Sequence, residues 1–211
     1  MLRRSWLKAV VFLLCLVPLG YLTWRFYIED LTANPLEYIT HFTGDWSIRL
    51  LCVTLAITPL RKLLHTPDLI RFRRMIGLYA FFYGALHFLT YLWLDRLFDF
   101  KDLAKDIAKR PFITAGFAAF VLMLPLAITS TRGWIRRMGG KRWQALHRLV
   151  YVAGIAAVVH YYWLVKSDVR LPLLYGSIVA VLLAYRIGAW MFSRARSTRP
   201  AVGEVVRDRT A

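Results

Sequence analysis

Six stretches of this 211-residue chain are apolar over about 16 to 22 residues each. A helix rises 1.5 Å per residue, so about 20 apolar residues cross a hydrocarbon core roughly 30 Å thick. Hydrophobic residues make up 58% of the chain, which is typical of membrane proteins. The sequence therefore predicts an all-α membrane protein, a six-transmembrane-helix bundle that forms one domain over residues 1–211, with spans at about 6–24, 45–60, 75–94, 111–129, 144–165 and 171–192.

The first apolar stretch also resembles a secretory signal peptide. Bulky residues follow it, however, and no small-x-small cleavage site is present, so we interpret it as a retained span. The second stretch is the least regular of the six, because Arg49 lies near its start and Pro59 near its end.

The basic residues are shared unequally between alternate loops. With the N-terminus inside, the cytoplasmic segments hold 18 basic and three acidic residues, and the opposite side holds nine of each. The positive-inside rule then predicts that both termini are cytoplasmic and that residues 193–211 form a disordered cytoplasmic tail. Because the charge of +17 is spread over short loops, it indicates contact with the lipid bilayer and no nucleic-acid partner.

One loop, residues 96–110, has a helical pattern of its own. Phe100, Leu103 and Ile107 recur at helical spacing between Asp and Lys residues. This pattern predicts an amphipathic helix at the outer interface, either as a membrane-surface connector or as a docking site for a periplasmic partner. The chain shows no internal sequence repeat and no glycine pattern for NADPH or ATP.

Three of the five histidines, His87, His147 and His160, lie in predicted spans, where ionisable groups are rare and usually functional. His41 and His65 are expected in loops and not as iron ligands. If the third and fifth spans begin at residues 75 and 144, His87 lies about 18 Å deep, His160 about 24 Å and His147 about 4 to 5 Å. Depth therefore pairs His87 with His160.

Two imidazoles at similar depth on neighbouring helices are typical of the axial ligands of a b-type haem. A non-covalent haem is expected, because no Cys-x-x-Cys-His pattern is present. One alternative is a histidine that serves only to bond a neighbouring helix. Another, from a different functional class, is a small proton-coupled transporter with histidines as proton relays.

His147 does not share a face with His160, because 13 residues place them about 140° apart on an ideal helix. The same spacing on the third span leads back from His87 to Arg73 or Arg74. These arginines either bind haem propionates or a flavin phosphate at the inner surface, or simply follow the positive-inside rule. We predict an inner cofactor site with His147 and Arg74. One candidate occupant of this site is an inner haem whose only protein ligand is His147.

Several short blocks carry a family resemblance: HFTG at 41–44, ITPLR at 57–61, IRFRRMIGL at 70–78, RPF at 110–112, ITSTR at 128–132 and GKRWQALHRLVY at 140–151. In this order they resemble the ferric reductase-like transmembrane domain and, more narrowly, the MsrQ family, formerly YedZ. These are haem-binding membrane subunits of bacterial periplasmic methionine sulfoxide reductase systems.

The resemblance implies a multi-pass protein of the bacterial inner membrane that passes electrons from the quinone pool to the molybdenum-dependent reductase MsrP for repair of oxidised proteins. It implies haem b on the histidines that match His87, His147 and His160, and FMN as a further cofactor. The sulfoxide chemistry is expected on MsrP, so no catalytic residue is predicted here. A ferric or quinone reductase-type transmembrane cytochrome b is the nearest alternative. The chain lacks a fourth intramembrane histidine and the flavin and nicotinamide domains of the oxidases.

Overall fold

The computed structural model describes residues 5–197 of the chain, and all regular secondary structure in this part is helical, which confirms the predicted all-α class. Arg3, Arg4 and most of the predicted cytoplasmic tail lie outside the described residues. The described part contains nine α-helices: α1 Ser5–Tyr27, α2 Pro35–Leu63, α3 Ile70–Thr90, α4 Phe100–Lys109, α5 Pro111–Ile128, α6 Arg132–Met138, α7 Gly140–His147, α8 Leu149–Leu164 and α9 Arg170–Ser197. A 3-10 turn, Pro67–Leu69, leads into α3, and a π-helical turn, Tyr91–Asp95, extends it.

Four helical stretches are long and apolar enough to cross a membrane: Trp6–Tyr27, Pro67–Leu94, Pro111–Ile128 and Arg170–Arg194. They correspond to the predicted first, third, fourth and sixth spans. The predicted second span lies in α2, which carries Asp45 and Arg49, and the fifth lies in α8, which has only 16 residues. The count of six spans therefore stays a prediction.

Helix α2 begins about ten residues earlier than the sequence analysis expected. Asn34 caps it by accepting a hydrogen bond from the Glu37 amide at 3.3 Å, and Pro35 occupies the first turn, where proline is favoured. The prediction that His41 lies in a loop is therefore wrong, because His41 is an exposed residue of α2. His65 does lie in the connection after α2, with a positive φ of 52°.

The prediction of an unbroken helix over residues 144–165 is also wrong. Helix α7 ends at His147, Arg148 forms a turn, and α8 begins at Leu149. The angle of about 140° between His147 and His160 assumed one ideal helix, so it does not describe the actual backbone. The break places His147 at the end of a short separate helix.

Two helix pairs form the centre of the molecule: α2 packs along α3, and α5 packs along α8. Helix α9 lies against α2 and α8, and α1 lies against α3. The Tyr83 hydroxyl joins α1 to this core, since it donates to the Cys15 carbonyl at 2.8 Å and accepts from the Leu19 amide at 3.1 Å. The Leu19 amide and the Cys15 carbonyl are four residues apart, the spacing of a helical hydrogen bond. The Tyr83 hydroxyl is thus inserted into the backbone hydrogen-bond ladder of α1.

The predicted amphipathic helix is confirmed as α4, and its location at the outer membrane interface stays a prediction. Asp99 caps it by accepting from the amides of Lys101 and Asp102. Leu103 and Asp106 are buried against the rest of the protein, whereas Phe100 is 66% exposed. A buried carboxylate is tolerated where it is paired, and Asp106 contacts Tyr91, Arg96 and Arg110.

Candidate cofactor-binding site

The histidines of α3 and α8 meet between the two helix pairs. The imidazole centres of His87 and His160 lie 6.0 Å apart, and their ring planes are 74° apart. The depth argument from the sequence predicted this proximity, and the structure confirms it. The two rings come from different pairs, so the site exists only where α2 and α3 pack against α5 and α8.

Each of these imidazoles is bonded to the backbone of its partner helix. His87 Nδ1 lies 2.9 Å from the carbonyl oxygen of Thr40 on α2, and His160 Nδ1 lies 2.7 Å from that of Phe112 on α5. A carbonyl oxygen only accepts, so each Nδ1 carries the proton and donates it. Nε2 of both rings is then the unprotonated nitrogen, which is the form that binds a metal.

A glycine lies beside each of these rings, and the sequence analysis missed both glycines. Gly44 follows Thr40 by one helical turn, and Gly116 follows Phe112 by one turn. A Cβ at Gly44 would lie 3.0 Å from His87 Nδ1, and one at Gly116 would lie 2.6 Å from His160 Nδ1. One sequence feature that points to these glycines is their spacing. Gly116 follows Gly44 by 72 residues, and His160 follows His87 by almost the same distance, 73 residues.

A cavity of about 350 Å³ lies beside the His87 and His160 rings. Aromatic side chains from α3 and α5 form much of its wall, and Phe120 stacks on Phe88 at 4.8 Å and on Phe81 at 5.6 Å. Such an apolar slot, with two available imidazole nitrogens, fits a flat and largely apolar metal macrocycle. The polar members of the lining are Thr40, His41, Asp45, Ser47, His87, Tyr91, Arg110, His160 and Tyr161.

Helix α4 covers one edge of this cavity through Leu103, and a polar cluster holds the helix there. Tyr91 donates to Asp106 Oδ2 at 2.6 Å, and Arg110 Nε lies 3.2 Å from Asp106 Oδ1. The hydrogen bond from Tyr91, followed by the positive charges of Arg96, Arg110 and Lys105, lowers the pKa of Asp106 below its ordinary value. Asp106 therefore stays ionised as a hub between α4, α5 and the turn after α3.

His147 occupies a separate position at the end of α7. Its Nε2 lies 3.1 Å from Thr129 Oγ1, and its ring stacks on Trp143 with centres 3.8 Å apart. Trp143 Nε1 in turn donates to the Thr129 carbonyl at 2.9 Å. Helix α7 is thus attached to the end of α5 through both side chains.

A second cavity, of about 440 Å³, is lined by His147 together with Arg73, Arg74 and Gln144. The structure therefore brings Arg74 and His147 to one site, as the spacing argument predicted. Leu51, Phe81 and Met123 line both cavities, so the two sites share a wall of only a few side chains.

Residues 43–158 match the family described as "Ferric reductase like transmembrane component". Two relatives, each named "Protein-methionine-sulfoxide reductase heme-binding subunit MsrQ", match along most of their length. The protein of Herminiimonas arsenicoxydans is 54% identical over 187 residues, covering 87% of this chain and 86% of its own. That of Ralstonia nicotianae is 52% identical over 210 residues, covering 97% and 96%.

The chain belongs to the MsrQ family of ferric reductase-like transmembrane proteins. The MsrQ relative from Caulobacter vibrioides, at 48% identity over 186 residues and 88% of this chain, extends the match to a further organism. No solved structure matches the chain.

In this MsrQ chain, one further intramembrane charge lies beside the second cavity. Arg186 of α9 donates to the Tyr151 hydroxyl at 2.8 Å and to the Leu55 carbonyl at 3.0 Å, and Tyr151 lines the cavity. The sequence signal is an arginine inside the apolar run AVLLAYRIGAW, a feature that is costly in a membrane and usually has a specific partner. The sequence analysis did not use it.

Proposed function

We propose that this chain is the haem b electron-transfer subunit of a methionine sulfoxide reductase system in the bacterial inner membrane. The name of its relatives supports the haem and the reductase system. The observation that carries the proposal is the His87–His160 pair, which presents two Nδ1-protonated imidazoles to one apolar cavity.

The spacing of this pair suits axial ligation. An imidazole–metal bond is about 2 Å long, and the ring centre lies about 1 Å beyond the nitrogen, so two imidazoles that share one metal ion would have ring centres about 6 Å apart. The separation of the two rings is 6.0 Å. We therefore propose that His87 and His160 would hold the haem iron.

The bound haem supplies a reversible one-electron carrier. The residues around it do the rest. The carbonyls of Thr40 and Phe112 accept from the two imidazoles, which would raise their basicity and favour the oxidised form of a bound haem. The aromatic wall, with Phe88, Phe117 and Phe120, excludes water from the ring.

We propose that the second cavity holds a further cofactor, either an inner haem or FMN. In this proposal His147 is the iron ligand or a neighbour of the flavin, and Arg74 pairs with a propionate or a phosphate. A guanidinium forms two-pronged hydrogen bonds with either anion. The shared wall of the cavities supports the proposal, because cofactors held in the two cavities would be separated by only a few side chains.

The topology and the partners complete the proposal. Six spans with both termini in the cytoplasm place the second cavity on the inner side and the first on the outer side. Electrons then enter from the quinone pool and leave from the first cavity to a periplasmic MsrP subunit, bound as a heterodimer. As the family resemblance implies, this chain would provide the electron carriers and MsrP the molybdenum centre that reduces the sulfoxide.

The proposal is tested by haem and flavin analysis of the purified protein together with a gene deletion. We expect a reducible b-type spectrum and loss of periplasmic sulfoxide repair in the deletion strain. Unchanged repair with lost iron reduction would instead identify a ferric reductase. A colourless protein would exclude the haem assignment and favour the proton-relay transporter.

A further inference from the structure

We infer that Gly44 and Gly116 are positioning residues for the two haem ligands. Each glycine lets an imidazole of the neighbouring helix lie directly against the helix backbone, within reach of the carbonyl one turn earlier. The inference rests on the proposed function, because that proposal names His87 and His160 as ligands.

The contacts at Gly116 are closer than any side chain would allow. A Cβ there would lie 2.6 Å from His160 Nδ1, 2.9 Å from Cε1 and 3.0 Å from Cγ. At Gly44 the corresponding distances to His87 are 3.0 Å to Nδ1 and 3.2 Å to Cε1. In each ring it is Nδ1, the atom closest to the glycine, that also donates to the backbone carbonyl. Neither ring can therefore move away from its glycine without lengthening that hydrogen bond.

Helix propensity does not explain glycine at these positions, because alanine is preferred over glycine inside a helix. Other glycines of the described helices differ in what they touch. Gly20 and Gly188 have nothing within 4 Å of a built Cβ, and Gly176 meets a methyl group of Val158 at 3.2 Å. In the described part of the chain, Gly44 and Gly116 are the glycines that face a histidine ring.

The arrangement occurs twice, once in each helix pair. In both pairs the acceptor carbonyl comes four residues before the glycine, and the two sets are separated by 72 residues. Helices α2 and α3 thus orient His87, and α5 and α8 orient His160, so each ring is oriented by contacts within its own pair. This duplication supports a role in ligand orientation over a chance contact.

A methyl group at either position should push the imidazole away from the facing carbonyl. The ring then loses the acceptor that keeps the proton on Nδ1, and its Nε2 moves away from the iron axis. A ligand without this hydrogen bond is less basic, so the midpoint potential of a retained haem should shift to a more positive value.

The experiment compares alanine variants of the full-length haem protein. The test variants are Gly116→Ala and Gly44→Ala. Two controls, Gly20→Ala and Gly188→Ala, add a methyl group in open space. A third control, Gly176→Ala, adds a methyl group against Val158, which lies on the same helix as His160. The readouts are haem per protein, the low-spin fraction and the midpoint potential.

We expect Gly116→Ala to lose most of its haem, or to keep it partly high-spin with a raised potential. Gly44→Ala should change in the same direction by less, because its contact is 3.0 Å and not 2.6 Å. The three control variants should match the unaltered protein. If Gly116→Ala does not accumulate, Gly44→Ala decides by the same criteria.

Normal haem content, spectrum and potential in both Gly44→Ala and Gly116→Ala would overturn the inference and leave the proposed function intact. Equal haem loss in Gly176→Ala would also overturn it, since general crowding between helices would then be the cause. Absence of haem from the unaltered protein would instead overturn the proposed function.

Discussion

His87 and His160 lie on different helix pairs, yet their ring centres are 6.0 Å apart and their planes are 74° apart. Each ring is bonded to its own pair, His87 to Thr40 and His160 to Phe112. Neither pair contains a complete site. A cofactor that bridges both histidines therefore also joins the two pairs, so its binding and the stability of the bundle are coupled.

The first prediction concerns this coupling. His87→Ala or His160→Ala should abolish the low-spin b-type spectrum and lower the thermal unfolding midpoint, because the protein then loses a ligand that binds only its folded state. Visible spectroscopy and a melting curve of each variant measure the two effects. His65→Ala is the control, because His65 is exposed in the connection after α2 and lines neither cavity. Retention of a normal low-spin spectrum in both ligand variants would refute the assignment.

The second prediction concerns the inner cavity. Arg74→Gln should weaken binding of the inner cofactor by roughly 10- to 100-fold, since a hydrogen bond to a charged group contributes about 1.5 to 3 kcal/mol. His147→Ala should reduce the same cofactor and leave the spectrum of the His87–His160 haem in place. Haem and flavin per protein are measured after purification.

Arg71→Gln is the matched control for Arg74→Gln. Arg71 lies on the same helix, pairs with Asp68 at 3.2 Å and does not line the cavity. The contradicting result is a cofactor content that is the same in all three variants as in the unaltered protein. It would show that the second cavity holds neither an inner haem nor FMN.

The sequence predicted the helical class and the meeting of His87 with His160, because both depend on properties that repeat along the chain: apolar length and a rise of 1.5 Å per residue. It did not predict the break at Arg148 or the contact between Gly116 and His160. These depend on which helices become neighbours, and one sequence does not carry that information directly. The inward side of Asp106 was missed for the same reason, since its partner Tyr91 lies on another helix.

The third prediction concerns Asp106 at the edge of the first cavity. Asp106→Asn should destabilise the protein on the order of 1 kcal/mol, because it removes the charge that holds Arg96 and Arg110 around α4. The hydrogen bond from Tyr91 and the neighbouring cations lower the pKa of this carboxyl. Its contribution is therefore fully present above the unfolded-state value of about 4 and is lost as pH falls through the lower folded-state value.

Melting temperatures between pH 7 and pH 3 test this sign. The difference between the unaltered protein and Asp106→Asn should be constant near neutral pH and should shrink in acid. Asp99→Asn is the control, since Asp99 caps α4 through amides and lies outside the cluster. A difference that grows in acid would contradict the proposed ionised hub.

The last prediction concerns topology: the helices of the structure include four that are long and apolar enough to span a membrane, whereas the apolar stretches of the sequence predict six spans. Helix α2 falls short because of Asp45 and Arg49, but these charges are partnered: Arg49 lies 3.4 Å from Asp45 and donates to the Tyr175 hydroxyl at 2.9 Å. Paired charges that face other helices are compatible with a span. We therefore expect α2 and α8 to cross the membrane.

Single cysteines at Thr66 and Lys101 distinguish the two topologies, in a background without Cys15 and Cys52. With six spans, Thr66 is cytoplasmic and Lys101 periplasmic. With spans only at Trp6–Tyr27, Pro67–Leu94, Pro111–Ile128 and Arg170–Arg194, the two positions exchange sides. Labelling of whole cells with an impermeant thiol reagent should therefore modify position 101 and spare position 66, and the reverse pattern would refute the six-span bundle with both termini in the cytoplasm.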